Sequence, residues 1–244
     1  MDAPTRLALE VLAQPSDDDC GPTALHGVYR YWQDPVALEE VVASVPRLDD
    51  GGTIAASLGA HALQRGYRAT LYTYNLRVFD PSWFDRSGRA LPADALIAKL
   101  QAQAEAKSKE KLNFVTDAFV AYLRAGGQLR FEDLSGRLIA RILRSGRPIL
   151  VGLSSTYLYR VPRETRREGI VDDVRGHPSG HFVVLHGYDP ARRSVDLADP
   201  LGGAAAGGPL HYQVNLSRLK TAILLGVLTY DGNLLVLEPG GAAL

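Results

Sequence analysis

Apolar positions in the first half of the chain follow a helical period. After the polar stretch 14–19, apolar side chains recur three and four positions apart over 24–32, which predicts a helix that begins beside Cys20. Pro22 in the first turn and the acids that precede it are typical of a helix start, because the free N–H groups there favour negative charge. Further helices are predicted over 36–45, 53–64 (with Thr53 as its N-cap), 93–112, 113–125 and 135–145.

The second half of the chain is richer in alternating and β-branched segments. These predict strands over 149–153, 181–188, 194–198 and 211–214, and then a hairpin that joins 227–230 to 234–237. Shorter strands over 67–74 and 128–134 and a helix over 217–225 complete the pattern. Because the helices come mainly before the strands, we expect the α+β class, with N-terminal helices packed on a C-terminal antiparallel β-sheet.

Composition and charge narrow the class of protein. Of the 244 residues, 46% are hydrophobic and 22% are charged, and 27 Lys and Arg balance 27 Asp and Glu. These values are those of a folded protein, and they give no electrostatic reason to expect a nucleic-acid partner. The longest apolar run, 222–228, is far shorter than the roughly 20 residues of a membrane span, and the N-terminus has no signal-peptide pattern. One cysteine cannot form an internal disulfide, so we expect a cytoplasmic protein.

Cys20 is the candidate nucleophile. Peptide dipoles at a helix N-terminus stabilise a thiolate, and a nearby imidazole completes an ion pair. A free cysteine is more often a small buried apolar residue. Cys20, however, stands between Asp19 and Gly21 in a stretch that predicts an exposed polar turn, and this favours a reactive thiol.

His181 is the preferred general base. It stands at the start of the predicted strand 181–188, where a side chain can reach a cleft. His186 lies five positions further on, so in an extended strand it points to the opposite face, and we expect it to pack or to form structural hydrogen bonds. The remaining histidines are expected to be structural or exposed: His26, His61, His177 and His211.

Asp199 is the preferred partner of this imidazole. It directly follows the predicted strand 194–198, and a hairpin returning from His181 brings that end of the strand beside it. Asp189 and Asp196 are the alternatives, but Asp189 precedes a proline in a predicted turn and Asp196 lies in the middle of the strand.

Gln14 is the candidate oxyanion donor. It precedes Cys20 by six residues, so its side-chain amide could donate to a developing oxyanion together with the backbone N–H of Cys20. The sequence contains neither a glycine-rich phosphate loop nor a set of residues with metal-ligand spacing. The expected chemistry therefore requires no metal and no other cofactor.

Three motifs together resemble cysteine peptidase family thirty-nine, the papain-like peptidases that process double-glycine leader peptides. They are QPSDDDCGPTAL over 14–25, GHFVVLHGY over 180–188 and ADP over 198–200. The resemblance implies a papain-like fold. It also implies a role for each residue: Cys20 as nucleophile, His181 as base, Asp199 as orienting acid and Gln14 as oxyanion donor.

Two stretches depart from the family pattern: an insertion at about 75–127, and a polar segment at about 160–179 that immediately precedes His181. We expect a stand-alone relative without transporter domains, folded as a single domain over 1–244. The segment 160–179 (the lid segment below) is a candidate lid whose arginines bind a carboxylate-bearing substrate, and the alternative is a solvated loop. The candidate substrate-binding residues are Arg163, Arg166, Arg167 and Trp83.

The sequence as a whole predicts a cysteine peptidase that hydrolyses an amide bond in a peptide or protein substrate. Two alternatives use the same fold. One is acyl transfer by the same thiol, as in an amidotransferase or peptide ligase, and the other is a non-catalytic module that binds peptides. The sequence indicates no particular oligomeric state.

Overall fold

The computed structural model describes residues 3–48, 51–165, 169–203 and 208–241. A mixed sheet lies at its centre. Its strands are β1 (Thr5–Arg6), β2 (Tyr67–Thr73), β3 (Gln128–Arg130), β4 (Ile149–Ser154), β5 (Gly180–Asp189), β6 (Ser194–Ala198), β7 (His211–Asn215) and β8 (Asn233–Pro239). The helices are α1 (Cys20–Tyr31), α2 (Leu38–Ser44), α3 (Ala55–Gln64), α4 (Ala93–Lys107), α5 (Glu110–Arg124), α6 (Gly136–Arg144), α7 (Ser155–Tyr159) and α8 (Leu216–Leu225), with 3-10 turns at Pro81–Trp83 and Gly226–Thr229.

The sheet order is β3-β2-β8-β4-β5-β6-β7, and β1 pairs with β5 beside this path. Neighbouring described strands are antiparallel, except that β2 and β3 run parallel. The predicted α+β class is confirmed. The sheet is nevertheless not confined to the second half of the chain, because β2 and β3 come from the first.

Helices cover both faces of this sheet and form two apolar cores. On one face, α1, α3, α4 and α5 supply Leu25, Leu58, Leu100 and Phe119 to the first core. On the other face, α6, α7 and α8 supply Leu138, Leu158 and Ile223 to the second core. The central strands β4, β5 and β8 are buried over most of their length, because helices cover both of their faces.

The stretch 75–127, expected to be an insertion, contributes directly to the first core. Leu96, Leu100 and Phe119 are fully buried there together with side chains of α1 and α3. Removing the stretch would therefore expose a large part of this core.

Among the described residues, no helix combines the length and apolar character that crossing a membrane requires.

The expected N-cap of the third helix is wrong. The helix α3 begins at Ala55, after Ile54, and the Thr53 hydroxyl donates instead to the carbonyl of Pro46 at 3.0 Å. The expected helix 93–112 is also shorter, since α4 ends at Lys107 and Ser108 adopts a left-handed conformation with φ of 45°.

The expected hairpin of 227–230 with 234–237 is also wrong. Residues Gly226–Thr229 form a 3-10 turn, and the chain then enters β8 through left-handed Tyr230 and Gly232. The strand β8 pairs with β2 and β4, which are distant in sequence. The five-residue helix α7 was not predicted, because so short a segment shows no full helical period.

Gly59 allows α3 to approach α5 closely. A Cβ atom at Gly59 would lie 2.6 Å from Cε2 of Tyr122, whose hydroxyl donates to the carbonyls of Ala69 and Gln128. We expect Gly59→Ala to lower the free energy of unfolding by about 1–3 kcal/mol through overpacking, although alanine is the better helix former. Urea denaturation measures the change, with Gly241→Ala as control because open space surrounds Gly241. Equal stability of the two variants would contradict the prediction.

Candidate active site

The first turn of α1 places Cys20 against the sheet. Cys20 is the first residue of this helix, where backbone N–H groups have no partner within the helix. The next residue, Gly21, packs against β5, because a Cβ atom there would lie 3.2 Å from Cδ2 of Phe182. The sulfur therefore lies at a helix N-terminus that faces the strand carrying His181.

Residues 15–18 of the turn before Cys20 are exposed, as the sequence suggested, but the residues that end the turn are buried. Cys20 itself is only 7% exposed, and Asp19 is also buried. The Asp19 carboxylate accepts a hydrogen bond from Ser16 Oγ at 2.7 Å and pairs with the guanidinium of Arg47. This pairing brings a positive charge to the acid nearest the thiol, so that acid opposes a thiolate less than an unpaired one would.

His181 and Asp199 meet across the neighbouring antiparallel strands β5 and β6. The register pairs Val184 with Ala198, so Asp199 lies directly beyond the end of the β6 ladder. His181 Nε2 is 2.7 Å from Asp199 Oδ1, and both side chains are buried. Because Nε2–H donates to the carboxylate, Nδ1 is the nitrogen that remains for the Cys20 sulfur.

Interactions among Cys20, His181 and Asp199 shift the pKa values of His181 and Asp199. Burial alone would lower the pKa of His181, but the charge of the Cys20 thiolate and hydrogen bonds to Asp199 and Cys20 raise that pKa to about 10. Burial likewise opposes ionisation of Asp199, yet the hydrogen bond and charge of His181 hold the pKa of this carboxyl below its ordinary value. The arrangement therefore favours an imidazolium that is hydrogen-bonded to the Asp199 carboxylate.

Two tyrosines that the sequence analysis missed contact the same carboxylate. The hydroxyls of Tyr159 and Tyr212 each lie 2.6 Å from Asp199 Oδ2. The backbone N–H of Leu201 also donates to Oδ1, at 3.0 Å. No local signal marks either tyrosine, because one ends the unpredicted helix α7 and the other lies in an ordinary strand.

Gln14 lies beside the turn that carries Asp199. Its backbone N–H donates to the carbonyl of Pro200 at 3.0 Å. Its side-chain amide donates to the carbonyls of Ser16 at 2.8 Å and Asp17 at 3.3 Å, both within its own loop. An oxyanion could therefore receive an N–H of Gln14 only if the longer bond, to Asp17, were released.

His186 lies apart from this group. Its Nδ1 is 3.1 Å from the carbonyl of Leu7, and its Nε2 is 3.4 Å from Nδ1 of His211. A β-bulge between Leu185 and Gly187 interrupts the regular alternation here. The contacts of His186 therefore connect β5 to β7 and to Leu7, directly after β1.

The described part of the lid segment is held together by its own hydrogen bonds. The backbone of Glu164 forms isolated antiparallel β-bridges with Val171 and His177. The Arg163 guanidinium donates to the carbonyl of Asp173. The three apolar side chains Ile170, Val171 and Val174 face outward, Val174 being 79% exposed. Arg166 and Arg167, expected to bind substrate, lie outside the described residues.

Trp83 packs with core aromatic residues. Its ring lies edge-on to Phe79, and the Lys99 ammonium lies over it. Phe79 in turn packs against Phe119 in the first core. A role for Trp83 in substrate binding remains a prediction.

In the described ranges, no group of His, Cys, Asp and Glu side chains could hold a metal ion.

Residues 6–215 match the Peptidase_C39 like family. A putative C39-like peptidase structure from Bacillus anthracis is 16% identical, with 97% of this chain and 98% of that one covered and a TM-score of 0.44. The peptidase domain of Streptococcus ComA is 12% identical, with 95% of this chain and 98% of that one covered and a TM-score of 0.43. Xylellain, a cysteine protease from Xylella fastidiosa, is 13% identical, with 98% of this chain and 86% of that one covered and a TM-score of 0.42. No curated protein sequence matches the chain.

The contacts of His181 predict its titration. We expect its imidazole C–H resonances to titrate near pH 10, and Asp199→Asn to lower this pKa because the negative charge is removed and the hydrogen bond to His181 is no longer charge-assisted. NMR over a pH series measures it. His186 is the internal control, since burial lowers its pKa below the ordinary 6.5. Titration of His181 at or below pH 6.5, or no effect of Asp199→Asn, would contradict the prediction.

Proposed function

Because this chain belongs to the Peptidase_C39 like family and is a papain-like cysteine peptidase, we propose that Cys20, His181 and Asp199 form its catalytic triad, with Gln14 as an oxyanion donor. The observation that carries the proposal is the position of the His181 imidazole. This buried ring interacts with Cys20 and places Nε2 2.7 Å from Asp199 Oδ1. Asp199 thereby fixes the ring orientation that presents Nδ1 to the Cys20 sulfur.

In the proposed reaction, the thiol proton resides on Nδ1 of the His181 imidazolium, and the Cys20 sulfur attacks the carbonyl carbon of an amide bond in a peptide or protein. The resulting oxyanion receives hydrogen bonds from the backbone N–H of Cys20 and from Gln14. The imidazolium then protonates the leaving amine as the C–N bond breaks, which leaves a thioester on Cys20. Water, deprotonated by His181, hydrolyses this thioester and regenerates the thiol.

We further propose that the lid segment contributes to substrate selection. It leaves α7 directly after Tyr159 and returns to β5 at Gly180, next to His181. Ser179, at its end, is fixed to α7 because its carbonyl accepts from Ser155 and its N–H donates to Thr156 Oγ1. With the Arg163 guanidinium already bonded inside the segment, its outward apolar side chains are the better candidates for substrate contact.

Cys20→Ala is expected to abolish hydrolysis of a peptide library, because no other thiol can form the thioester. Mass spectrometry should detect an acyl adduct on the wild-type protein alone. His186→Ala is the control, expected to reduce stability but to retain turnover. An added amine distinguishes hydrolysis from acyl transfer. Formation of amide products that contain the added amine, in place of hydrolysis products, would indicate acyl transfer. Cleavage by purified Cys20→Ala would refute the proposal.

Gln14→Ala is expected to reduce kcat by about 10²–10³ while KM changes little, because an oxyanion donor acts mainly in the transition state. Steady-state kinetics on a cleaved peptide measure the two constants. Gln213→Ala is the matched control, since the amide of Gln213 donates to Asp196 outside the site. An unchanged kcat in Gln14→Ala would assign Gln14 to the structure of its loop alone.

A further inference from the structure

The hydrogen bonding of Asp199 exceeds what the orientation of His181 requires. Its carboxylate accepts four hydrogen bonds from described residues: from His181 and the Leu201 N–H at Oδ1, and from Tyr159 and Tyr212 at Oδ2. Only the first serves the imidazole directly. The two hydroxyls on the far oxygen therefore call for a separate explanation.

Burial of the carboxylate supplies that explanation. Asp199 is fully buried, and an ionised carboxylate without water is strongly destabilised unless other donors replace its hydration. The tyrosines stay protonated, since burial and the charge of Asp199 raise the pKa of both phenols above the ordinary range. At 2.6 Å, their contacts have the length of charge-assisted O–H···O⁻ bonds, which are stronger than neutral ones.

The two tyrosines are held by independent elements. Tyr159 is the last residue of α7, and its ring centroid lies 6.0 Å from that of His181. Tyr212 lies in β7 opposite Leu197, and its ring packs against Gly203, where a Cβ atom would come within 2.6 Å of it. Two separately anchored donors therefore converge on the same oxygen.

We propose that Tyr159 and Tyr212 are positioning residues that keep Asp199 ionised and hold its Oδ1 toward His181. This inference rests on the proposed function, because it assumes that Asp199 acts through His181. Neither tyrosine touches the reacting atoms. Loss of one hydroxyl leaves the other on Oδ2, whereas loss of both leaves this buried anionic oxygen without a donor among the described residues. The effects of the two substitutions are therefore coupled.

The test compares Tyr159→Phe, Tyr212→Phe and the double variant by the pH profile of kcat/KM. Without the hydroxyls Asp199 takes up a proton at higher pH, so the acid limb of the double variant is expected to move up by about one pH unit or more. At a pH below the acid limbs of both the wild type and the double variant, the loss of kcat/KM in the double variant relative to the wild type is then expected to be at least about tenfold greater than at pH 8. The single variants are expected to shift this limb less.

Tyr122→Phe is the matched control. The Tyr122 hydroxyl is also buried and bonded, but it donates to the carbonyls of Ala69 and Gln128, remote from Asp199. This variant is expected to lose stability and to keep the wild-type pH profile. A profile change caused only by loosened packing would appear in Tyr122→Phe as well, and that result would overturn the inference.

Two outcomes separate this inference from the proposed function. A double variant with the wild-type acid limb, alongside an inactive Cys20→Ala, overturns the role of the tyrosines and leaves the triad in place. Cleavage by Cys20→Ala instead removes the proposed function itself. If the double variant does not fold, Tyr212→Phe decides, since a rise of its acid limb by about half a pH unit supports the inference and an unchanged limb overturns it.

Discussion

The hydrogen bond between His181 and Asp199 is the interaction on which the site depends. It joins neighbouring antiparallel strands at one end of the sheet, where both groups are buried. A buried ion pair stabilises a fold only when its remaining hydrogen-bonding atoms are also satisfied. The surroundings meet this demand: the Leu201 N–H completes Oδ1, two tyrosines complete Oδ2, and Cys20 interacts with the other side of the imidazole.

The packing of the helices determines where the side chains of this group lie. The helix α1 can bring Cys20 to β5 because Gly21 has no side chain: a Cβ atom there would clash with Cγ2 of Thr53 and lie 3.2 Å from Cδ2 of Phe182. The second face of the sheet is covered by α6, α7 and α8, which come after the first-half helices. The expectation that N-terminal helices pack on the sheet therefore describes one face only. The helix α7 on the second face is also the one that carries Tyr159 to the carboxylate.

Sequence patterns predicted the parts of the site that depend on single elements. A helix beginning at Cys20 and the hairpin that carries His181 and Asp199 are local features, and the structure contains both. Features that depend on distant partners were missed. Asp19 pairs with Arg47, 28 positions further along the chain, and the strand partners of β8 are β2 and β4. Periodicity describes which face of an element is apolar, but not which distant residue meets it.

The presence of one cysteine in the chain gives the site an intrinsic stoichiometric label. Any thiol-specific reagent that modifies the folded protein modifies Cys20, so one equivalent of label corresponds to one site. Because this sulfur is buried at a helix N-terminus in the folded chain, the rate of its modification distinguishes folded from unfolded molecules. A preparation can therefore be standardised by its number of folded chains rather than by its mass, before any substrate is known.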